Sequence, residues 1–242
     1  MAEDHGFAGF NRETIAFLKG LKKNNTREWF ESHRKNYNCC VLEPAKTFVV
    51  AMGLRLKKIS PNIVAAPKIN KSIFRLNRDT RFSPDKSPYK PNLGIFFWEG
   101  PRSRMESPGF YVHLEPPIFL LGAGYWMFPD WLLESYRKAV VHPKSGVELA
   151  KILKKISETT DFKIGGQHYK RTPAGYDGSH PNAPLLLHNA LHAGFEETVP
   201  DVLFTPGLAD YCYEKFKPLA PLHRWLSNLM SRPAPPPDHF RF

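Results

Sequence analysis

The densest chemistry in the chain lies in residues 75–90, where Arg75, Arg78, Arg81, Lys86 and Lys90 share sixteen positions with Asp79 and Asp85. Thr80, Ser83 and Ser87 lie between them, and Pro84 and Pro88 stiffen the segment. A guanidinium is a planar fork of donors that matches phosphate or carboxylate oxygens in pairs, and an ammonium adds a point charge. Loop hydroxyls and backbone N–H groups can complete an anion nest. The chemistry predicted here is capture of an anion by Arg75, Arg78, Arg81, Lys86 and Lys90, with Tyr111 as a further ligand contact.

Groups that move protons stand nearby in the pattern. In residues 109–115 the alternation places Phe110, Val112 and Leu114 on one face of a strand and Tyr111, His113 and Glu115 on the other. The same alternation in residues 74–79 sets Phe74 and Leu76 against Arg75, Asn77 and Asp79. Two polar faces on one sheet would converge. Histidine titrates near neutrality and a carboxylate can orient it. Asp79, His113 and Glu115 are therefore the predicted catalytic groups. His113 and Glu115 at i, i+2 lack a third metal ligand unless Asp79 joins them, so no metal site and no cofactor are predicted. Gly122 and Gly124, on one face of their strand, would leave a bare patch, either a groove for a ligand or another backbone or a seat for a packed helix.

Several reaction classes have no motif here. The sequence contains no GxxxxGK[ST], no GxGxxG opening a helix and no GxSxG elbow. Cys39 and Cys40 are adjacent and Cys212 is distant, so no CxxC redox or zinc pair exists and no disulfide framework is predicted.

The elements that must carry these groups are readable from periodicity. Asn11 is a predicted N-cap for a helix over residues 12–22, with Ile15, Leu18 and Leu21 as its apolar stripe. Thr26 caps a second helix carrying Trp29, Phe30, His33 and Tyr37, ended or kinked at Pro44. A third helix is predicted over residues 45–59. The period then changes to two, with strands predicted at 72–78, 93–98, 109–115 and 119–127. Their short connections favour antiparallel neighbours. Helices follow at 131–141, capped by Asp130, and at 145–157. Residues 159–184 read as a long loop with a short strand near Tyr169. Further helices are predicted at 185–192 and 207–230. The fold class expected is α+β: a single domain over residues 1–231, mainly an antiparallel sheet of four or five strands packed with N-terminal and C-terminal helices. Residues 232–242 read as a Pro-rich mobile tail.

Bulk properties bound the partners. The 242 residues carry a formal charge of +11, which favours acidic partners. An anionic small molecule, phosphorylated above all, is the partner expected, with nucleic acid as the alternative, although no RRM, KH or helix-turn-helix pattern stands out. No secretory signal and no membrane span are read, so a soluble cytoplasmic protein, or a nuclear one, is expected.

The run from Arg75 through Arg78-Asp-Thr-Arg-Phe-Ser to Asp85-Lys-Ser-Pro-Tyr-Lys90 resembles an uncharacterised family of bacteria and some eukaryotes, catalogued as domain of unknown function 2461. Further blocks agree in order: Asn25-Thr-Arg-Glu-Trp-Phe30, Gly109-Phe-Tyr-Val-His-Leu-Glu115, Gly122-Ala-Gly-Tyr-Trp126, and Lys170-Arg, Gly175-Tyr-Asp and His180-Pro181. The resemblance spans about residues 7–219 and implies no reaction. The chain departs from the family's pattern at Ser179, before His180-Pro181, and at Leu187, His188 and Asn189.

Three readings follow. One is a hydrolase or transferase whose basic cleft binds an anion. The second is a non-catalytic structural or partner-binding protein in which the cations pair internally. The third is a nucleic-acid-binding module.

Overall fold

A computed structural model of the chain describes residues 6–81, 84–100 and 102–230. The predicted Pro-rich tail at 232–242, and Phe82 and Ser83 of the basic segment, lie outside the described residues. In chain order the elements are α1 (Arg12–Lys23), α2 (Arg27–Ser32), α3 (Arg34–Asn36), a π-helix (Tyr37–Leu42), α4 (Glu43–Leu56), β1 (Ile63–Val64), β2 (Leu93–Glu99), β3 (Gly109–Glu115) and β4 (Ile118–Tyr125). Then come α5 (Asp130–Val141), α6 (Ser145–Thr159), β5 (Lys163–Gln167), β6 (His188–Thr198), α7 (Leu208–Phe216) and α8 (Ala220–Met230). The strands form one antiparallel sheet of six in the order β1-β2-β3-β4-β6-β5. Mixed helix and antiparallel sheet is the class expected, with six strands rather than four or five.

Among the described residues the chain divides into two compact units, 6–98 with 110–122 and 195–217, and 99–109 with 123–194 and 218–230. In the first, Asn11 caps α1 as predicted, its side chain accepting from Thr14 N–H at 2.9 Å while Thr14 answers in a capping box. Phe7, Phe10 and Phe48 form an edge-packed cluster, with the Phe7 and Phe48 centroids 5.2 Å apart. Phe110 of β3 packs on Phe216 of α7 at 5.1 Å. Arg55, almost wholly buried in α4, is held by Asp210 of α7 at 2.6 and 2.8 Å.

The predicted second helix is broken: α2 ends at Ser32 and a π turn begins at Tyr37. Pro44 does not end a helix but opens α4 in its first turn, where its missing N–H costs no bond.

The second unit is built on aromatic packing around Tyr136, whose ring stacks on Phe128 at 4.7 Å and meets Trp225 edge-on at 6.2 Å. Its buried hydroxyl donates to the Leu185 carbonyl at 2.9 Å. His223 is buried against Glu99 at 2.7 Å. The helix α5 begins at Asp130 without the predicted side-chain cap.

Two further expectations are corrected here. Residues 185–192 are not a helix: a 3-10 turn over Ala183–Leu187 leads directly into strand β6. The short strand of the long loop is β5, at Lys163–Gln167 and not at Tyr169. It pairs with β6 through Lys163 opposite Gly194 and Gly165 opposite His192.

Gly124 resolves the choice posed by the paired glycines in favour of a neighbouring backbone. It adopts φ +142°, and a Cβ there would run into the Leu191 carbonyl and His192. A positive φ and a close backbone approach both demand glycine. Gly124→Ala is expected to cost about 2–4 kcal/mol from backbone strain plus overpacking, read as a lower urea midpoint. An unchanged midpoint would contradict the close seating of these strands.

Candidate functional site

The site lies wholly within the first unit and begins with how the basic segment is held. Residues 72–78, predicted as a strand, form only isolated bridges, Ile73 to Ile69 and to Ile95 and Asn77 to Tyr89. Phe74 N–H donates to the Gly94 carbonyl at 3.0 Å, and Phe96 N–H to Ser72 at 2.8 Å, so the chain follows β2 briefly. It then folds back on itself, with Arg78 N–H on the Pro88 carbonyl at 2.9 Å and Lys90 N–H on the Leu76 carbonyl at 2.7 Å. Pro88 and Pro91 have no N–H to give, so a continuous ladder cannot form. The predicted alternation survives this: Leu76 is buried, Phe74 half-buried, and Arg75, Asn77 and Asp79 are exposed.

Asn25, in the turn between α1 and α2, fastens the fold-back. Its Nδ2 donates to the Tyr89 carbonyl at 2.9 Å, and its Oδ1 accepts from Tyr89 N–H at 3.0 Å. The Tyr89 ring stacks on Phe30 of α2 at 4.4 Å.

A cleft of about 440 Å³ is lined by Lys22, Asn25, Arg78, Asp85, Ser87, Lys90, Pro91, Asn92 and Glu115. Three cations face two carboxylates there, a formal excess of one positive charge. Arg78 reaches Asp85 at 3.2 Å, and Lys22 reaches Glu115 at 3.0 Å. Hydrogen bonds from the Ser87 hydroxyl and N–H, ahead of the Arg78 charge, hold the Asp85 carboxyl below its ordinary range. Among the described residues, the ammonium of half-buried Lys90 has no carboxylate or carbonyl partner.

Behind Glu115 runs a polar line along β3. His113 Nε2 is 3.6 Å from Glu115 Oε2, longer than a hydrogen bond. His113 Nδ1 is 2.9 Å from Tyr111 Oη and 3.4 Å from Asn92 Nδ2. An amide nitrogen can only donate, so Nδ1 accepts and the imidazole proton sits on Nε2, facing Glu115. Burial pushes the His113 pKa down, partly opposed by Glu115, and pushes Tyr111 up to about 12. Both are therefore neutral near pH 7, with Tyr111 a hydroxyl donor. Room for that hydroxyl comes from β2, where a Cβ on Gly94 would stand 2.8 Å from it.

Of the nine predicted site residues, Arg78, Lys90 and Glu115 line the cleft, with His113 and Tyr111 behind Glu115. Arg75, Asp79, Arg81 and Lys86 do not line it. Arg81 turns back on Asp79 in a two-point pair at 3.0 and 2.7 Å, and that pairing depresses the Asp79 pKa strongly. Lys86 donates to the Thr80 carbonyl at 2.8 Å. Lys22, Asn25 and Asn92 were not predicted. Asn25 had a signal, since it opens one of the ordered sequence blocks, whereas Lys22 reads only as a cation at a helix C-terminus.

Among the described residues, no group of three or more His, Cys, Asp or Glu side chains is gathered as a metal would need, and no helix is long and apolar enough to cross a membrane. Compared with known sequences, residues 13–225 match the profile of a family described as "Conserved hypothetical protein (DUF2461)". A search of curated proteins returned no match.

The His113 environment makes a measurable statement about pH. Its folded pKa lies below the unfolded value of about 6.5, so the unfolded chain binds the proton more readily. This residue's contribution to stability is therefore full above about pH 6.5 and is lost as pH falls below it. In a histidine NMR titration His113 is expected below the ordinary range, and Glu115→Gln is expected to lower it further by removing the opposing charge. A rise in the variant would contradict the geometry.

Proposed function

This chain belongs to the DUF2461 family of conserved hypothetical proteins, whose membership carries no reaction with it, and from the site itself we propose that the cleft binds a small anionic ligand, a phosphorylated compound above all. The observation that carries this reading is Lys90. It lines the cleft, it is half-buried, and no acceptor among the described residues neutralises it, because Asp85 is engaged by Arg78 and Glu115 by Lys22. An ammonium on the cleft wall with no acid of its own to pair with is free to take a charge-assisted contact from a bound anion. Lys22 and Arg78 stand on the same walls to share the charge.

The finer reading is an enzyme of the hydrolase or transferase kind. Glu115 is one of the two carboxylates lining the cleft, and with His113 beside it on β3 it is the candidate general acid–base group. His113 and Tyr111 are positioning residues. The Nε2–H of a neutral imidazole faces the carboxylate at 3.6 Å, and the Asn92 amide sets the tautomer, with the Tyr111 hydroxyl on the same nitrogen. Proton transfer to or from a cleft-bound ligand would fall to Glu115, with Lys22 steadying its charged form.

One observation favours a structural role for the rest of the basic segment. Arg78 is paired with Asp85, Arg81 with Asp79, and Lys86 with a backbone carbonyl. Arg81 and Lys86 are thus turned onto the segment itself, and ligand capture falls to Lys90 with Lys22 and Arg78 beside it.

The test is calorimetric titration of the full chain with a panel of phosphorylated and carboxylated small molecules. At least one anion is expected to bind. Lys90→Met is expected to weaken it about 10- to 100-fold, the loss of one charge-assisted contact, while Arg81→Ala leaves it unchanged. Equal effects of the two variants, or no binding across the panel, would overturn the proposal. Salt dependence separates a polynucleotide from a small anion. Three phosphate contacts would weaken a polynucleotide roughly 40-fold between 50 and 200 mM salt.

A further inference from the structure

Far from the basic segment in sequence, the π-helix at Tyr37–Leu42 carries the two adjacent cysteines. A π turn bonds i to i+5, so it holds more residues than an α turn and neighbouring side chains diverge less around the axis. Here the Cys39 and Cys40 sulfurs come within 2.9 Å of each other. Cys39 is exposed and Cys40 half-buried, so the pair is reachable from solvent, whereas Cys212 is fully buried. We propose that Cys39 and Cys40 form a chelating dithiol for a soft, thiophilic, pyramidal centre, of which a trivalent organoarsenical is the defining chemistry.

Geometry selects this ligand class. With sulfur bonds of about 2.3 Å, a linear two-coordinate ion would need its sulfurs about 4.6 Å apart. A centre with a bond angle near 90° needs them only about 3.3 Å apart, close to the separation observed. Oxidation to a disulfide suits the pair less well. Neighbouring Cα atoms are about 3.8 Å apart across a trans peptide, shorter than the roughly 4.4–6.8 Å that an unstrained disulfide spans. Burial, reinforced by the contact with Cys39, pushes the Cys40 thiol up to about 11, so it remains protonated at neutral pH. Condensation fits that state. Two S–H bonds and the arsenic–oxygen bonds of an organoarsenic oxide break, and two As–S bonds form. The oxygen leaves as water with both thiol protons, and arsenic stays trivalent.

The experiment uses phenylarsine oxide on the reduced full chain, read by intact mass and by native alkylation. Wild type is expected to take up one arsenical, to lose both alkylatable thiols, to resist excess 2-mercaptoethanol and to release the group to a 1,2-dithiol. Cys39→Ser and Cys40→Ser are each expected to yield adducts that 2-mercaptoethanol strips, while Cys212→Ser behaves as wild type. A wild-type adduct stripped by the monothiol, a resistant adduct in either single variant, or conversion to a disulfide without arsenic uptake would overturn the proposal.

Discussion

One carboxamide holds the basic segment where it can matter. The segment gains little from the sheet, because its prolines interrupt the ladder that would anchor a strand. Asn25 supplies what the ladder does not: a side-chain amide has one donor and one acceptor with the spacing of a peptide group, and it spends both on the backbone of Tyr89. The Tyr89 ring, stacked on Phe30, adds apolar burial to the same joint. Lys90 follows directly, so the placement of the cleft's unpaired cation is inherited from a turn between two helices.

Around the cleft, the acids are taken up by the chain's own cations. Asp79 and Arg81 close a short loop, Asp85 engages Arg78, and Lys22 engages Glu115. Exposed pairs of this kind contribute little stability each, because water screens them. Their effect is to consume the acids near the cleft. Arg55 and Asp210 differ, because a nearly buried guanidinium left without its carboxylate would be strongly destabilising.

Much of the scaffold was legible. Asn11, the strands at 93–98, 109–115 and 119–127, and the helices at 131–141 and 145–157 fall where capping and periodicity put them. The alternation that set Tyr111, His113 and Glu115 on one face of β3 is visible in their burial. The β5–β6 pair was not legible, for physical reasons. His188 and His192 recur at a helical interval after an apolar run, so β6 reads as helix. Gly165 and Gly166 make β5 read as loop, although each is small because His192 or Ala190 presses against it. Arg75 and Asp79 keep the face that alternation gave them, yet neither lines the cleft, and Asp79 closes on Arg81 two residues away, a pairing that face logic does not encode. Lys22 and Asn25 entered the site through contacts with residues 93 and 64 positions away, which no local pattern encodes.

The missing side chain at Gly94 has a consequence for how such chains can diverge. The space it leaves is filled by the hydroxyl of Tyr111, which lies on His113 Nδ1. Residues 94 and 111 are thus a single steric unit written in two places. Lineages that gain bulk at the first must shed the phenol at the second, so the two positions should be inherited together, and an imidazole at 113 without that pair would keep only the amide of Asn92 on that nitrogen.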